Sequence, residues 1–485
     1  MTAARRSAPM LFVAVLVAVA VLAPGAGAAG TALPESGPLS PAFVEALHDP
    51  LVTVGLGRVP SPVEVEVGAA VETAAARTAG PSSYDLRDEG RLTPVKDQDP
   101  YGTCWAFANV AALESKLLPA ETHDYSEDNL VGRSGYGSSQ YWRYSFGGYD
   151  FMAIAYFARW AGPVEEADDP YYPDGPIQPA PAVNTVQKHV QDVVMLPGRT
   201  SWSDNALIKQ LVRENGALSV GMYMDEGAYS EFEDDTGAIQ AAYYLGAKMG
   251  ENHGVDVVGW DDASPRGNVD GRYGSPPGPG AFLVRNSWGP TWGDGGYFWV
   301  SYYDRSFARD QGLGGYGGCT SYATVEDTDN YSSIYQYDDL GVTDRWGYGV
   351  PRVWGATRYT AAATQTVSAV GFYTLSSSTR YQVWAGPTLK SLTLRARGVR
   401  QLPGYGTVSF SAPLPVSQGR RFVVAVKLYS PGDSHPLAME RPARTWMRQA
   451  AAARGQSFIS RNGTTWTDVT RVRANSSVCL KAFAE

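Results

Sequence analysis

One of the three cysteines in the chain, Cys104, stands where thiol chemistry is favoured. It opens an apolar segment whose periodicity predicts a helix over residues 103–118, ended by Pro119. A thiol at a helix N-terminus ionises more readily because the helix dipole stabilises the thiolate. The turn-rich residues 98–103 can place the Gln98 amide beside this thiol, as an oxyanion hole requires. A cysteine considered alone is more often a small buried hydrophobic residue, so the rest of the chain must decide.

A base for this thiol must come from one of five histidines, and their contexts separate them. They are His48, His123, His189, His253 and His435. The first lies in an N-terminal leader, the last lies in a β-rich region, and the second and third have charged, solvent-like neighbours. His253 opens an apolar strand, where a histidine is usually a satisfied core residue rather than a catalyst. Its neighbouring motifs therefore carry the decision.

Three motifs resemble the papain family of cysteine peptidases. They are residues 98–107 (QDPYGTCWAF), 252–259 (NHGVDVVG) and 285–297 (RNSWGPTWGDGGY). His253 lies 149 residues after Cys104, and this family separates nucleophile and base by roughly 130–150 residues. Asn286 follows Cys104 by 182 residues. The Asp-, Gly- and Pro-rich residues 261–280 account for the extra length as a surface insertion.

The resemblance implies a role for each matching residue. Cys104 is the nucleophile and His253 the general base and acid, while Asn286 orients the imidazole. Gln98 supplies the oxyanion-hole amide, and Trp288 shields the hydrogen bond between His253 and Asn286 from water.

Further matches concern the substrate and one departure from the family. Gly147 and Gly148 resemble a glycine pair whose bare backbone hydrogen-bonds an extended substrate, and Tyr149 would line the main specificity pocket. An ordinary loop is the alternative for this pair. Tyr101 stands where many members have a cysteine three residues before the nucleophile, so their neighbouring disulfide cannot form here.

The N-terminal region predicts export. Residues 1–29 read as a signal peptide, with Arg5 and Arg6 before a 14-residue apolar run that is too short to span a bilayer. Residues 30–80 are rich in Ala, Val and Pro and have no long helical period, so they are a leader or propeptide, with a disordered spacer as the alternative.

The remaining chain predicts two domains. Residues 81–325 mix helix and strand signals, and the fold class is α+β: a papain-like two-lobed catalytic domain, with a helical lobe and a β-barrel-like lobe. Residues 326–485 carry short β-rich runs that predict an all-β sandwich and resemble the lectin-like domain of some bacterial peptidases. Cys319 and Cys479 could form a disulfide between the domains, which spacing alone does not decide.

Together these observations predict a secreted cysteine-type endopeptidase, extracellular or at the cell surface, that hydrolyses proteins or peptides without cofactor or metal. The net charge of −9 and the lack of a basic run argue against nucleic acid as a partner. The C-terminal domain could bind carbohydrate, and no membrane span is expected after signal cleavage. Two alternatives stay open: a peptidase of cell-wall peptides, and an adhesion or carbohydrate-binding protein with an idle peptidase fold.

Overall fold

The structure is a computed structural model that describes residues 33–48, 56–68, 71, 80–137, 139–171, 184–233, 239–265, 274–309, 318–442 and 450–485. The predicted signal peptide lies outside the described residues. Within them, no helix has both the length and the apolar character that crossing a membrane requires.

The helices concentrate in the first third of the described chain. They are α1 Pro41–His48, α2 Cys104–Leu117, α3 Glu127–Arg133, α4 Gln140–Ser145, α5 Asp150–Ala158, α6 Ala206–Asn215 and α7 Val469–Val472. The helix predicted to begin near Cys104 is confirmed. Helix α2 is buried on almost all sides, as expected for an Ala-rich helix with apolar residues around its circumference.

Strands dominate the rest of the chain. The first group is β1 Glu35–Ser36, β2 Ser83–Asp85, β3 Lys188–Leu196, β4 Leu218–Met222, β5 Tyr229–Glu233, β6 Ile239–Tyr243, β7 His253–Asp261, β8 Ala281–Arg285, β9 Tyr297–Ser301, β10 Cys319–Asp327, β11 Ser333–Tyr335 and β12 Asp344–Gly347. The second group is β13 Arg352–Thr360, β14 Gln365–Thr374, β15 Thr379–Gly386, β16 Thr393–Arg400, β17 Gly404–Val416, β18 Arg421–Tyr429, β19 Leu437–Glu440, β20 Ser457–Ser460, β21 Thr467–Asp468, β22 Ser477–Val478 and β23 Leu480–Ala484.

Two lobes form the first part of the molecule. Helices α2, α3 and α5 pack around one hydrophobic cluster that includes Trp105, Leu113 and Ile154. Strands β4, β7, β8 and β9 are neighbours in one sheet, which encloses a second cluster that includes Val257 and Phe282. Helix α2 packs against β4 and β7. The first residue of α2 and the first residue of β7 therefore meet where the lobes join.

The C-terminal part is a sandwich of two sheets. A six-stranded sheet has the order β16-β15-β18-β13-β20-β21, and the facing strands are β11, β23, β14 and β17. Side chains from both sheets, such as Phe372 and Val424, form one cluster between them. The β-rich runs predicted for this region, such as residues 367–374 and 422–428, lie in strands, here β14 and β18. The predicted α+β fold with a β-sandwich after it is confirmed.

The two parts share a sheet. Strand β17 pairs antiparallel with β3, with Gly404 opposite Val194 and Gly406 opposite Asp192. Strand β3 pairs in turn with β10, which pairs with β4. Residues Pro34–Glu485 accordingly form one compact unit.

The described residues of the predicted leader are packed against both parts. Val59, Val63 and Val65 are buried in the cluster of the helical lobe. Strand β1 pairs with β12, and the backbone of Glu66 pairs with that of Ser376. A disordered spacer therefore does not describe these residues of the leader.

Candidate active site

The Cys104 thiol lies at the first residue of α2 and is fully buried. Its Sγ accepts a hydrogen bond from the backbone N–H of Gly254 at 3.2 Å. Gly254 directly follows His253, so this bond brings the thiol to the start of β7. The carbonyl of Cys104 would lie 3.3 Å from a Cβ at Gly254, and this close approach favours glycine there.

The imidazole of His253 is held by the segment that follows β8. Its Nε2 donates to Oδ1 of Asn286 at 2.8 Å, which leaves Nδ1 as the unprotonated nitrogen. The buried Nδ1 has no hydrogen-bond partner among the described residues. The Trp288 ring packs on the imidazole, with 5.0 Å between ring centroids. The imidazole thus keeps one nitrogen available as a proton acceptor.

The Gln98 amide is fixed by the same segment. Its Oε1 accepts a hydrogen bond from the Ser287 hydroxyl at 2.7 Å, and its backbone N–H donates to the Ser287 carbonyl at 2.9 Å. With Oε1 held there, the amide NH₂ donates to the carbonyls of Leu56 and Tyr101, both at 2.9 Å. Gln98 therefore presents one of its two N–H donors to a carbonyl oxygen of another chain segment, that of Leu56.

That carbonyl belongs to the leader, because residues 56–59 run across the site. Gly148 donates its N–H to the Gly57 carbonyl at 3.0 Å and accepts from the Val59 N–H at 3.0 Å, in a parallel pairing. Gly57 has φ +116°, and a Cβ on it would lie 2.2 Å from the Gly102 carbonyl carbon. Only glycine allows the leader backbone to pass this close to the residues before Cys104.

Covering the site changes the protonation of the two reactive groups. Burial raises the pKa of Cys104 to about 12, against the Gly254 N–H and the Arg58 charge, which lower it. Burial lowers the pKa of His253 to about 4, although its hydrogen bond to Asn286 acts in the opposite direction. At neutral pH the covered site therefore holds a thiol and a neutral imidazole.

The structure brings together eight of the residues that the sequence singled out: Gln98, Cys104, Gly147, Gly148, Tyr149, His253, Asn286 and Trp288. Gly147 lies against the Gly57 carbonyl, and Tyr149 is buried at the N-terminus of α5. Arg58, Asp150 and Glu251, which lie beside Gly148, have no role that the sequence alone predicts. The sequence indicates two of them only by their closeness to residues that it singled out: Asp150 follows Tyr149, and Glu251 precedes His253 by two residues.

The structure corrects the pairing considered for Cys319 and Cys479. All three cysteines are described, and none forms a disulfide. Cys319 packs in the cluster of the second lobe, whereas Cys479 packs in the cluster of the helical lobe and donates to the Gly341 carbonyl at 3.3 Å. The shared sheet and the shared core join the two parts instead.

Two family models match the chain. Residues 80–311 match the papain family cysteine protease model, and residues 334–484 match the model of a lectin like domain. Residues 80–311 form a papain family cysteine protease domain. This domain contains every residue that meets at the thiol except those of the leader.

Individual relatives agree with the protease model. Human cathepsin L2 is 32% identical over 219 residues, which are 45% of this chain and 59% of that protein. Cysteine protease 1 of rice is 34% identical over 230 residues, 45% of this chain and 40% of the relative. The chain thus spans about three fifths or less of these two relatives.

One solved structure extends the likeness to the whole fold. The cysteine protease and lectin-like domains of Cwp84, a surface layer associated protein of Clostridium difficile, superpose with a TM-score of 0.76 at 23% identity. The match covers 93% of this chain and 98% of that structure. A second Cwp84 structure, after propeptide cleavage, gives a TM-score of 0.69 at 24% identity and covers 84% and 100% of the two chains. The order of protease domain and β-sandwich is common to both proteins.

Proposed function

We propose that this protein is a secreted cysteine endopeptidase in which Cys104, His253 and Asn286 act as a triad, and that its leader keeps it latent. The observation that carries the proposal is the arrangement around the thiol. The imidazole nitrogen not bound to Asn286 has no hydrogen-bond partner in the described chain, and the Gln98 amide already holds a peptide carbonyl, that of Leu56.

The reaction begins once a substrate replaces the leader. Nδ1 of His253 takes the thiol proton, and the Cys104 sulfur attacks the scissile carbonyl carbon. Nε2 of Gln98 and the backbone N–H of Cys104 stabilise the resulting oxyanion. The imidazolium then protonates the leaving amine, the acyl-enzyme forms, and water activated by His253 releases the acid. Asn286 holds the imidazole plane throughout.

The leader fits the role of an inhibitor that occupies the active site without being cleaved there. Its backbone runs parallel to Gly148, and its Leu56 carbonyl accepts the Gln98 hydrogen bond. Its flanks are held by backbone pairing to the C-terminal part, β1 with β12 and Glu66 with Ser376. The relative Cwp84 has a structure described as following propeptide cleavage. Removal of residues 30–80 is therefore proposed as the activating step.

Labelling with a thiol-directed epoxide peptidase inhibitor tests the catalytic proposal. After leader cleavage, we expect stoichiometric label on Cys104 and none on Cys319 or Cys479. Cys104→Ala should abolish both label and peptide hydrolysis, and His253→Ala should abolish turnover without unfolding the chain. Cys319→Ala is the matched control. Full hydrolysis by the Cys104→Ala chain would refute the mechanism.

The C-terminal sandwich supports a second role, the retention of the enzyme at an anionic glycan of the cell surface. The residues of one concave face include Arg352, Arg380, Arg397 and Lys427, beside the ring of Tyr381. None of these four cations has a carboxylate partner among the described residues, although the chain is acidic overall. A row of cations next to an aromatic ring suits an acidic sugar polymer.

Binding to a polyuronate and to a neutral glucan tests this role. We expect the protein to bind the polyuronate, in a salt-sensitive way, and not the neutral glucan. The double variant Arg380→Ala and Arg397→Ala should lower the affinity for the polyuronate at least tenfold. Arg471→Ala, at an exposed arginine outside this face, is the control. Equal binding to the neutral glucan would exclude charge as the basis.

Hydrolysis of peptidoglycan peptides but not of proteins would favour a cell-wall peptidase.

A further inference from the structure

A closed acidic pocket lies beside Gly148 and holds the side chain of Arg58. The two backbone hydrogen bonds of Gly148 flank Arg58, which fixes that residue opposite the glycine. Its side chain is buried. Any extended peptide that uses the same N–H and C=O of Gly148 would direct one side chain into this pocket.

Asp150 forms the end of the pocket. Its two oxygens accept parallel hydrogen bonds from the Arg58 guanidinium, each at 3.0 Å. Asn109 and Ser219 also donate to Oδ1, at 2.9 and 3.2 Å, and Thr320 donates to Oδ2 at 2.9 Å. The carboxylate is therefore held in one orientation by the protein itself. Burial raises the pKa of Asp150, but Arg58 and these donors outweigh it and keep the pKa below its usual value.

Glu251 forms the side of the pocket. Its Oε2 accepts from Nε of Arg58 at 2.7 Å, and its side chain is 3% exposed. Its Oε1 is buried and has no hydrogen-bond partner among the described residues. Space for this carboxylate depends on Gly221, because a Cβ there would lie 1.7 Å from Oε2. Two carboxylates thus converge on a space that holds one guanidinium.

Three hydrogen bonds of this geometry match a guanidinium better than any other side chain. The fork of Nη1 and Nη2 meets Asp150 while Nε meets Glu251, an arrangement that planar arginine can make and a lysine ammonium cannot make in full. An apolar side chain would leave the Asp150 carboxylate without a cation in a dry pocket and Glu251, whose pKa burial raises to about 7 even beside Arg58, without a guanidinium to bind. The pocket therefore discriminates by charge and by shape.

We propose that Asp150 and Glu251 make this peptidase selective for arginine at one substrate position. This position is the residue immediately before the one whose carbonyl carbon Cys104 attacks, called the scissile residue below. The inference rests on the proposed peptidase function and names its substrate class. The leader indicates which substrate position enters the pocket. Gln98 binds the Leu56 carbonyl, and the pocket holds the side chain of Arg58, which is close to Leu56 along the chain. A substrate whose chain runs opposite to that of the leader would place the residue before its scissile residue in the pocket that Arg58 occupies.

A substrate panel on the activated wild-type chain tests the selectivity. The peptides share every residue except the one before the scissile residue, which is Arg, Lys, citrulline, Leu or Phe. We expect kcat/KM for Arg to exceed that for Lys about tenfold and those for citrulline, Leu and Phe at least 100-fold. Equal or faster cleavage of the Leu or Phe peptide would overturn the proposal.

Variants locate the selectivity in the two carboxylates. Asp150→Asn and Glu251→Gln should each lower kcat/KM for the Arg peptide at least tenfold and leave that for the Leu peptide within a factor of three. Asp329→Asn, which replaces an exposed carboxylate in the C-terminal part, should change neither. An unchanged Arg preference in both pocket variants would refute the role of these residues. The wild-type panel decides the proposal even where a variant does not fold.

A second readout separates failure of the pocket from failure of the catalytic proposal. Peptidyl electrophiles with Arg or Leu in the same position alkylate Cys104 without turnover, and mass spectrometry gives the rates. At least 100-fold faster labelling by the Arg reagent supports the pocket, with or without peptide hydrolysis. Equal labelling overturns the pocket and leaves the nucleophile intact. Absence of labelling by both reagents refutes the reactive thiol and the pocket together.

Discussion

On its oxygen side, the Gln98 amide is oriented by one hydroxyl, that of Ser287. Because Ser287 donates to Oε1 at 2.7 Å, the NH₂ group must face the carbonyl in the site. We expect Ser287→Ala to lower kcat about tenfold with KM changed less than twofold, since loss of an oxyanion donor costs roughly 10²–10³ in kcat and the donor here is misoriented, not removed. Steady-state kinetics on the activated chain would measure this.

Ser287 is a positioning residue, so its test needs a conservative variant. Ser287→Thr keeps the hydroxyl and should restore most of kcat, while Ser203→Ala, at an exposed hydroxyl far from Gln98, should leave kcat unchanged. An equal loss in the Thr and Ala variants would point to packing instead of the hydrogen bond.

The reactivity of Cys104 should depend on whether the leader is present. With its pKa raised to about 12 by burial, the thiol remains protonated at neutral pH, and His253, with its pKa lowered to about 4, does not accept a proton there. A thiol with this pKa is about 10⁻⁵ thiolate at pH 7. We expect iodoacetamide to alkylate Cys104 at least 100-fold more slowly before leader cleavage than after it.

The pH profile gives the sign of the effect. Before leader cleavage, the alkylation rate should rise about tenfold per pH unit between pH 7 and 10, because each unit increases the thiolate fraction tenfold. After cleavage, an ion pair with His253 should make the rate nearly constant from pH 5 to 8. The Cys104→Ala chain reports background labelling. Equal rates before and after cleavage at pH 7 would contradict the protonation states described.

At the scale of elements, the leader segment depends on one glycine. Gly57→Ala would place a Cβ 2.2 Å from the Gly102 carbonyl carbon, at a φ of +116° that disfavours any side chain. We expect the uncleaved chain to lose latency, with activity at least tenfold above that of the uncleaved wild type. Peptide hydrolysis by chains purified in the presence of a reversible inhibitor would measure it.

The leader offers its own control for this change. A Cβ at Gly68 would have only the Ser377 hydroxyl near it, at 3.5 Å, which is ordinary contact. Gly68→Ala should therefore keep the chain latent. Should both variants stay latent, the close approach at Gly57 would not be what holds the leader in the site.

Local sequence signals predicted the elements well but not the path of the leader. The Ala-rich run ended by Pro119 specified α2, and short apolar runs bounded by Gly, Pro and Asp specified β4, β7 and β8. The motifs also indicated which residues meet at Cys104. Arg58 gave no such signal, because its role depends on Asp150 and Glu251, which lie 92 and 193 residues further along the chain. Contacts at that separation have no local pattern.

At the scale of the whole molecule, the sequence predicted two domains but not the sheet that they share. The change to short β-rich runs after residue 326 indicates the sandwich. The pairing of β3 with β17 joins segments some 200 residues apart, and no local property of either strand specifies it. It includes Gly404, where a Cβ would lie 1.9 Å from the Val193 carbonyl oxygen. The two parts are therefore expected to unfold together.

The ion pair across this junction tests that coupling. Arg400 contacts both oxygens of Asp192, at 2.6 and 2.7 Å, and both side chains are partly buried. We expect the wild type to unfold in one calorimetric transition and Arg400→Ala to lower the free energy of unfolding by about 2 kcal/mol, because charge-assisted pairs of this kind contribute roughly 1.5–3 kcal/mol. Arg395→Ala, on the same strand but hydrogen-bonded to the Ala412 carbonyl within the sandwich, is the control. Two separate transitions in the wild type would show that the shared sheet does not couple the parts.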